Sequence, residues 1–335
     1  MLYEKAPGGR LHCFLCAHHC RIARGKSGIC GVREHREDRL VTRAYGEAVA
    51  ANVDPIEKKP LYHFLPDTRA FSVGAMGCNF QCGFCQNWEI SQPGKRGEPT
   101  RAGIRLSPGE IVVQAREQEC QSIAYTYTEP TIFFEYAYDT AKIAKNSGLQ
   151  NVFVTNGYLT REALETVAPL LDACNVDLKS LSDRFYRNIC RARLQPVLDS
   201  IRVMRDLGIW VEVTTLVVPG GNDAPAELSA IARFLAGVDP GIPWHISRFH
   251  PYYKYVEAPA TPIETLRRAY SLGKRAGLRH VYIGNTPGEA SDTLCPSCGT
   301  PVIRRHGIDS TYTLLENSAC PACSEKIAGV FRTRK

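Results

Sequence analysis

Gly77-Cys78-Asn79-Phe80-Gln81-Cys82-Gly83-Phe84-Cys85-Gln86-Asn87-Trp88 is the stretch on which the reading of this chain turns. It carries three cysteines at spacing C-x3-C-x2-C, directly after a strand-like run over 70–75. A four-cysteine zinc knuckle would need another ligand close by, and the next cysteine is Cys120. Three thiolates suit a cubane 4Fe–4S cluster, which ordinarily takes four and here would keep one iron open. An open metal position is where a substrate or cofactor coordinates. Cys78, Cys82 and Cys85 are therefore the candidate catalytic ligands. A structural zinc loop borrowing a ligand from elsewhere is the competing reading, because three clustered cysteines underdetermine the metal.

The chain around this loop has 335 residues, 44% of them hydrophobic, which is enough for one barrel-sized core and small appendages. No run of eighteen apolar residues occurs, so no membrane span is expected, and the N-terminus lacks an apolar signal core. A cytoplasmic protein is the expectation. The net charge of +7 is spread over scattered arginines rather than a basic block, and no nucleic-acid motif is present. Nucleic-acid binding is accordingly not expected.

Fourteen cysteines are many for a cytosolic chain, and eleven stand in three tight groups. Grouping at separations of two and three residues favours metals over disulfides. The first group, Cys13, Cys16, Cys20 and Cys30, fits either a tetrahedral zinc site or an auxiliary iron–sulfur cluster. The last, Cys295, Cys298, Cys320 and Cys323, forms two C-x2-C knuckles with proline after each first cysteine, as in a zinc ribbon or rubredoxin-like module. Zinc is the expected occupant there. Cys120, Cys174 and Cys190 are isolated and read as small buried apolar residues. The segment 54–64 has two local readings, a surface connection or a polar wall at the mouth of the cluster site.

From residue 70 onward, β-rich runs alternate with helical patterns through about six βα units. This alternation predicts an α/β fold with a parallel sheet, a partial (β/α)6 barrel, with a doubly wound open sheet as the alternative. The barrel would occupy 67–285, between an N-terminal Cys-rich module (1–66) and a C-terminal zinc-ribbon-like appendage (286–335), with a linker near 285–292. Polar residues directly after strands gather at the carboxyl edge of such a sheet, where chemistry is built. Thr128 and Glu129, Asn156, Asp177 and Lys179, and His250 all follow predicted strands, as the three cysteines do.

The cysteine spacing with an aromatic residue, Phe84, before the third cysteine resembles the radical S-adenosylmethionine superfamily. Tyr127-Thr128-Glu129-Pro130, Thr155-Asn156-Gly157, Asp177-Leu178-Lys179 and Val218-Pro219-Gly220 resemble its branch of pyruvate formate-lyase activating enzymes. The N-terminal cysteines, Asp54 to Leu61, Gly77 to Gln92 and His280 to Asn285 are similar to the radical enzyme of the AmmeMemoRadiSam system. The resemblance implies that S-adenosylmethionine binds the open iron and is reductively cleaved to a 5′-deoxyadenosyl radical that abstracts hydrogen. It makes Phe84, Thr128, Glu129, Asn156, Asp177, Lys179 and His250 the candidate cofactor-contacting residues. It also implies an electron donor such as flavodoxin or ferredoxin, and Memo-like and AMMECR1-like proteins as partners. Its substrate is undefined; a glycyl-radical enzyme awaiting activation is one alternative. A non-catalytic iron–sulfur or zinc electron carrier or assembly scaffold is the alternative of another class.

Overall fold

A computed structural model of the protein describes residues 1–92, 103–286, 288–306 and 310–332. Its centre is an eight-stranded sheet. One antiparallel strand, β1 (Ala50–Pro55), is followed by seven mutually parallel ones: β2 (Arg69–Gly74), β3 (Ser122–Tyr125), β4 (Gln150–Thr155), β5 (Ala173–Asp177), β6 (Trp210–Val217), β7 (Trp244–Arg248) and β8 (Val281–Gly284). They lie side by side in chain order, so every crossover advances by one strand. A doubly wound sheet reverses its order at a switch point, and this one does not. The antiparallel β1 occupies the outer edge of β2, and among the described residues no pairing joins it to β8. The result is the partial barrel. Its edge strand β1 comes from within the stretch that sequence assigns to the Cys-rich module. Pro287, in the expected linker, lies outside the described residues.

Six helices make the crossovers: α1 (Pro108–Glu117), α2 (Phe134–Asn146), α3 (Arg161–Val167), α4 (Gln195–Asp206), α5 (Pro225–Val238) and α6 (Ile263–Arg275). The first begins with a capping box in which Ser107 accepts from the Glu110 amide while Glu110 accepts from the Ser107 amide. Side chains alternate along each strand, and the two faces differ in chemistry. Phe71, Ile123, Phe153, Val211 and Ile246 belong to the main core that the helices cover. Ala70, Ala124, Val152 and Ala173 instead form a small cluster with Ile56, Leu61 and Phe64.

That small cluster places segment 54–64, and neither sequence-based expectation for it holds. It is a buried plug at the start of the strands, away from their carboxyl ends. The Tyr62 and His63 amides donate to Glu212 near the start of β6, and Asn175 Nδ2 donates to the Pro60 carbonyl at 2.7 Å. Glu212 is fully buried and also receives His245 Nε2 at 2.7 Å and Trp210 Nε1 at 3.1 Å. A carboxylate so enclosed is tolerable because its acceptor sites are filled. The polar residues of 54–64 follow the same rule: Asp54 accepts from Lys58 and from the buried Lys59.

The C-terminal ribbon, with strands Thr293–Leu294, Pro301–His306 and Ser310–Thr313, docks on this plug. Arg305 is buried and donates to the Tyr62 carbonyl at 2.7 Å while lying over the Tyr62 ring. The N-terminal hairpin Tyr3–Ala6 and Arg10–Cys13 leads into a loop that meets the other end of the barrel, where Cys16 bridges Leu159 after β4. The two terminal modules thus sit at opposite ends of the strands.

Candidate active site

Cys78, Cys82 and Cys85 leave the carboxyl end of β2 on a loop held from four sides. The Gln81 amide donates to the Cys190 carbonyl at 2.9 Å, and Gln92 Nε2 donates to the Phe80 carbonyl. His18 Nε2 lies 2.8 Å from the Asn79 carbonyl. On the fourth side, residues following β7 fold over the loop. The Lys254 amide donates to the Gly83 carbonyl, Tyr253 stacks on Trp88 at 4.9 Å between centroids, and Tyr255 stands edge-on to Phe84. A Cβ at Gly83 would come within 2.7 Å of the Tyr255 ring, so any side chain there would push the ring away from this approach.

The sulfurs are not alone. Cys78 Sγ accepts from the Phe80 amide, and Cys85 Sγ lies 3.3 Å from Ser91 Oγ. The adjoining Cys190 thiol, then burial, push the Cys82 thiol well above its ordinary pKa, and burial raises that of Cys85. Binding a metal there displaces protons from these thiols. Cys190, read from sequence as isolated, holds the loop backbone through its carbonyl and adjoins the central sulfur. Spacing could not reveal it, because it arrives from the turn Tyr186–Cys190 more than a hundred residues later.

The other strand ends converge on this loop to different degrees. Asn156 Nδ2 donates to Asn79 Oδ1 at 2.7 Å and lies 3.9 Å from Cys78 Sγ. Lys179, almost wholly buried, pairs with Asp177 at 2.9 Å and sits 5.8 Å from the centre of the Phe84 ring. Burial opposes its charge, but the Asp177 carboxylate outweighs that and raises its pKa. Glu129 is buried and accepts from Thr131 (amide and hydroxyl), Thr155 Oγ1 and the Asn156 amide, which ties the end of β3 to that of β4. Burial nevertheless raises its pKa. Thr128 Oγ1 donates to the Ala75 carbonyl, and His250 is exposed beyond the end of β7. Asn156, Lys179 and Phe84 thus touch or face the cysteine loop, Glu129 braces it from behind, and His250 stands apart.

The donor set fits an iron–sulfur cluster. Three thiols share one loop with the mostly buried Lys179 near it, and Asn79 Nδ2 is buried next to Cys78 without a hydrogen-bond partner. Their sulfurs are also spread more widely than a single tetrahedral ion allows. Among the described residues only the C-terminal cysteines bring three or more donor atoms within 4.8 Å of one another.

Residues 73–235 match the model of the Radical SAM superfamily. The chain is also 44% identical over 331 residues, 98% of each sequence, to a protein of Methanocaldococcus jannaschii named uncharacterized protein MJ0808. The chain belongs to the radical SAM superfamily. Membership implies a 4Fe–4S cluster and S-adenosylmethionine. An isethionate sulfite-lyase activating enzyme of Nitratidesulfovibrio vulgaris is 27% identical over 137 residues, 37% of this chain and 44% of the relative. A radical SAM methyltransferase from Sphaerobacter thermophilus shares the fold, with a TM-score of 0.50 at 17% identity over 70% of this chain and 71% of the other.

Two further cysteine quartets flank the radical SAM site. At the C-terminus, Cys295 and Cys323 sulfurs lie 3.6 Å apart and those of Cys298 and Cys320 3.7 Å apart. Four thiolates about 2.3 Å from one tetrahedral ion stand about 3.8 Å from each other. This radical SAM protein therefore carries a formed four-cysteine metal site at the base of its barrel. At the N-terminus, Cys13, Cys16, Cys20 and Cys30 line one cavity.

Proposed function

We propose that this protein is a radical SAM enzyme in which Cys78, Cys82 and Cys85 hold the cluster and the neighbouring strand ends hold its cofactor. The observation that carries the reading is the convergence of Asn156 and the mostly buried Lys179 on the three-cysteine loop. When bound, the cluster and S-adenosylmethionine supply a one-electron cleavage of the sulfonium to methionine and a 5′-deoxyadenosyl radical that abstracts hydrogen from a substrate.

The residues have separable tasks. Lys179, kept charged by its neighbours, is suited to pair with the methionyl carboxylate as a compact point charge. Asp177 orients that ammonium. Asn156 and Asn79 fix the backbone around Cys78, and Glu129 fixes the turn that carries Asn156. Phe84 and Tyr255 cover the loop with aromatic surface, which limits water at the sulfurs. Thr128 is closer to a backbone brace than to a ligand, and His250 has the weakest claim to a role.

The relative named an activating enzyme favours a protein as the substrate, with a glycyl-radical enzyme or another polypeptide receiving the radical. The N-terminal cysteines and the segment from Asp54 to Leu61 support placement in the AmmeMemoRadiSam branch, with Memo-like and AMMECR1-like partners and a flavodoxin- or ferredoxin-type donor. Zinc is the proposed ion of the C-terminal quartet.

Anaerobically reconstituted, dithionite-reduced protein is expected to form 5′-deoxyadenosine from S-adenosylmethionine, with Cys82→Ala inactive. Equal, background-level formation by the two would leave only the carrier or scaffold role. Deuterium transfer from a labelled candidate partner into 5′-deoxyadenosine identifies the substrate.

A further inference from the structure

Sequence leaves the N-terminal cysteines open between zinc and an iron–sulfur cluster, and their geometry separates the two. Cys13, Cys16, Cys20 and Cys30 surround a small cavity, otherwise walled by Leu15, Ile22 and Ile132. Among the described residues the C-terminal quartet alone has the close sulfur packing that a single ion requires. A cubane separates its thiolates by intervening irons and sulfides, so its ligands stand at the corners of a larger tetrahedron. No three sulfurs of the N-terminal quartet share the close packing of the C-terminal one, which is the spacing a cubane calls for rather than a single ion.

A second observation points into the same cavity. Arg33, 3% exposed, lines it, and its Nε is buried without a hydrogen-bond partner. Its other nitrogens are committed to Glu135. A buried donor left unmatched is destabilising unless something in the cavity accepts from it. The sulfides and thiolates of a cluster are such acceptors, and hydrogen bonds to sulfur are among the means by which a protein sets a cluster's potential.

The cavity also adjoins the catalytic loop. Thr131 and Ile132, which follow Glu129 at the end of β3, form part of its wall. His18, between Cys16 and Cys20, contacts the carbonyl of Asn79 beside Cys78. A Cβ on Gly77, the residue before Cys78, would stand 2.9 Å from the Cys30 carbonyl. Ligand loops of the two sites are therefore in direct contact.

We propose that Cys13, Cys16, Cys20 and Cys30 bind an auxiliary 4Fe–4S cluster that passes electrons to the cluster held by Cys78, Cys82 and Cys85. A low-potential one-electron carrier protein reduces the auxiliary cluster by one electron. Transfer of that electron reoxidises it and reduces the catalytic cluster, with no bond made or broken and no proton moved. The relay rests on the radical SAM reading; the identity of the metal does not.

Iron, sulfide and zinc counts with electron paramagnetic resonance test this on the full chain, reconstituted anaerobically. The Cys78→Ala/Cys82→Ala/Cys85→Ala variant is expected to keep about four irons and four sulfides per chain and a reducible cluster signal. Adding Cys13→Ala/Cys16→Ala should remove them. A folded triple variant with no iron and about two zinc ions per chain overturns the proposal. Should that variant not fold, the wild-type count decides: about eight irons supports two clusters, and about four overturns them. For the relay, reduced flavodoxin should reduce the catalytic cluster more than tenfold faster in wild type than in Cys13→Ala/Cys16→Ala, and equal rates overturn it. Absence of 5′-deoxyadenosine from a protein holding eight irons would instead fail the enzymatic reading and leave the auxiliary cluster standing.

Discussion

The two outer cysteine quartets look interchangeable in sequence and are opposites in space. The C-terminal four are drawn together to 3.6–3.7 Å across a small antiparallel ribbon, at the base of the barrel. The N-terminal four are spread around a cavity at the catalytic end, with the unpaired Arg33 Nε beside it. Ligand count and residue type are equal in the two. What differs is sulfur packing and neighbourhood: the C-terminal four close on one point, while the N-terminal four line a cavity beside the three-cysteine loop.

Breaking the clamp should give the largest effect. Cys295→Ala/Cys298→Ala is expected to lose the C-terminal ion, worth on the order of 10 kcal/mol to small zinc modules. Proteolysis should then open residues from about 290 onward while the iron content of the rest is unchanged. Loss of iron together with that ion would erase the contrast between the quartets. Arg305→Ala leaves the metal in place but removes the ribbon's buried anchor. It deletes charge-assisted bonds to the Tyr62 and Ser291 carbonyls and Thr293 Oγ1, and a cation–π contact. A loss of about 3–5 kcal/mol is expected, read as local hydrogen exchange in the ribbon.

Gly77→Ala probes the opposite end. Its φ of 106° and the closeness of the Cys30 carbonyl and Val32 make any side chain strained there. A cost of about 2–3 kcal/mol is expected, with iron content falling and the C-terminal ion retained. Unchanged iron would show that the two loops do not depend on their contact.

The smallest effect is a pH dependence confined to the base. Burial holds His63 well below its ordinary pKa and lowers that of His280 from 6.5 to about 3. Unfolded, both take up protons near pH 6.5; folded, they resist. Their contribution is therefore fully present above that pH and is lost as pH falls below it, for His280 over the range toward 3. His280→Gln should flatten the profile of ribbon opening between pH 6 and 4. An unaltered slope would remove His280 from the account.

Much of the barrel could be read in advance because its helices and strands carry local signals. Ser107 and Glu110, for example, are the residue types a capping box needs at that spacing, and the box forms. The plug at 54–64 was not legible. Its charged residues look solvated until Lys59 meets Asp54, and His63 meets Tyr282. The cover from Tyr253 to Tyr255 was also missed, since a tyrosine-rich loop has no periodicity and its target lies some 170 residues earlier.

By itself, then, the sequence determined the alternation of strands and helices, the three cysteine groups and the strand ends that surround the central one. These are local facts, set by spacing, turns and side-chain chemistry. Only the tertiary structure decided that Cys190 would underlie Cys82, that Glu129 would brace Asn156, and that one outer quartet would close while the other stayed open. Those outcomes depend on contacts between residues far apart in the chain, where burial and unfilled hydrogen bonds, rather than local spacing, set the arrangement.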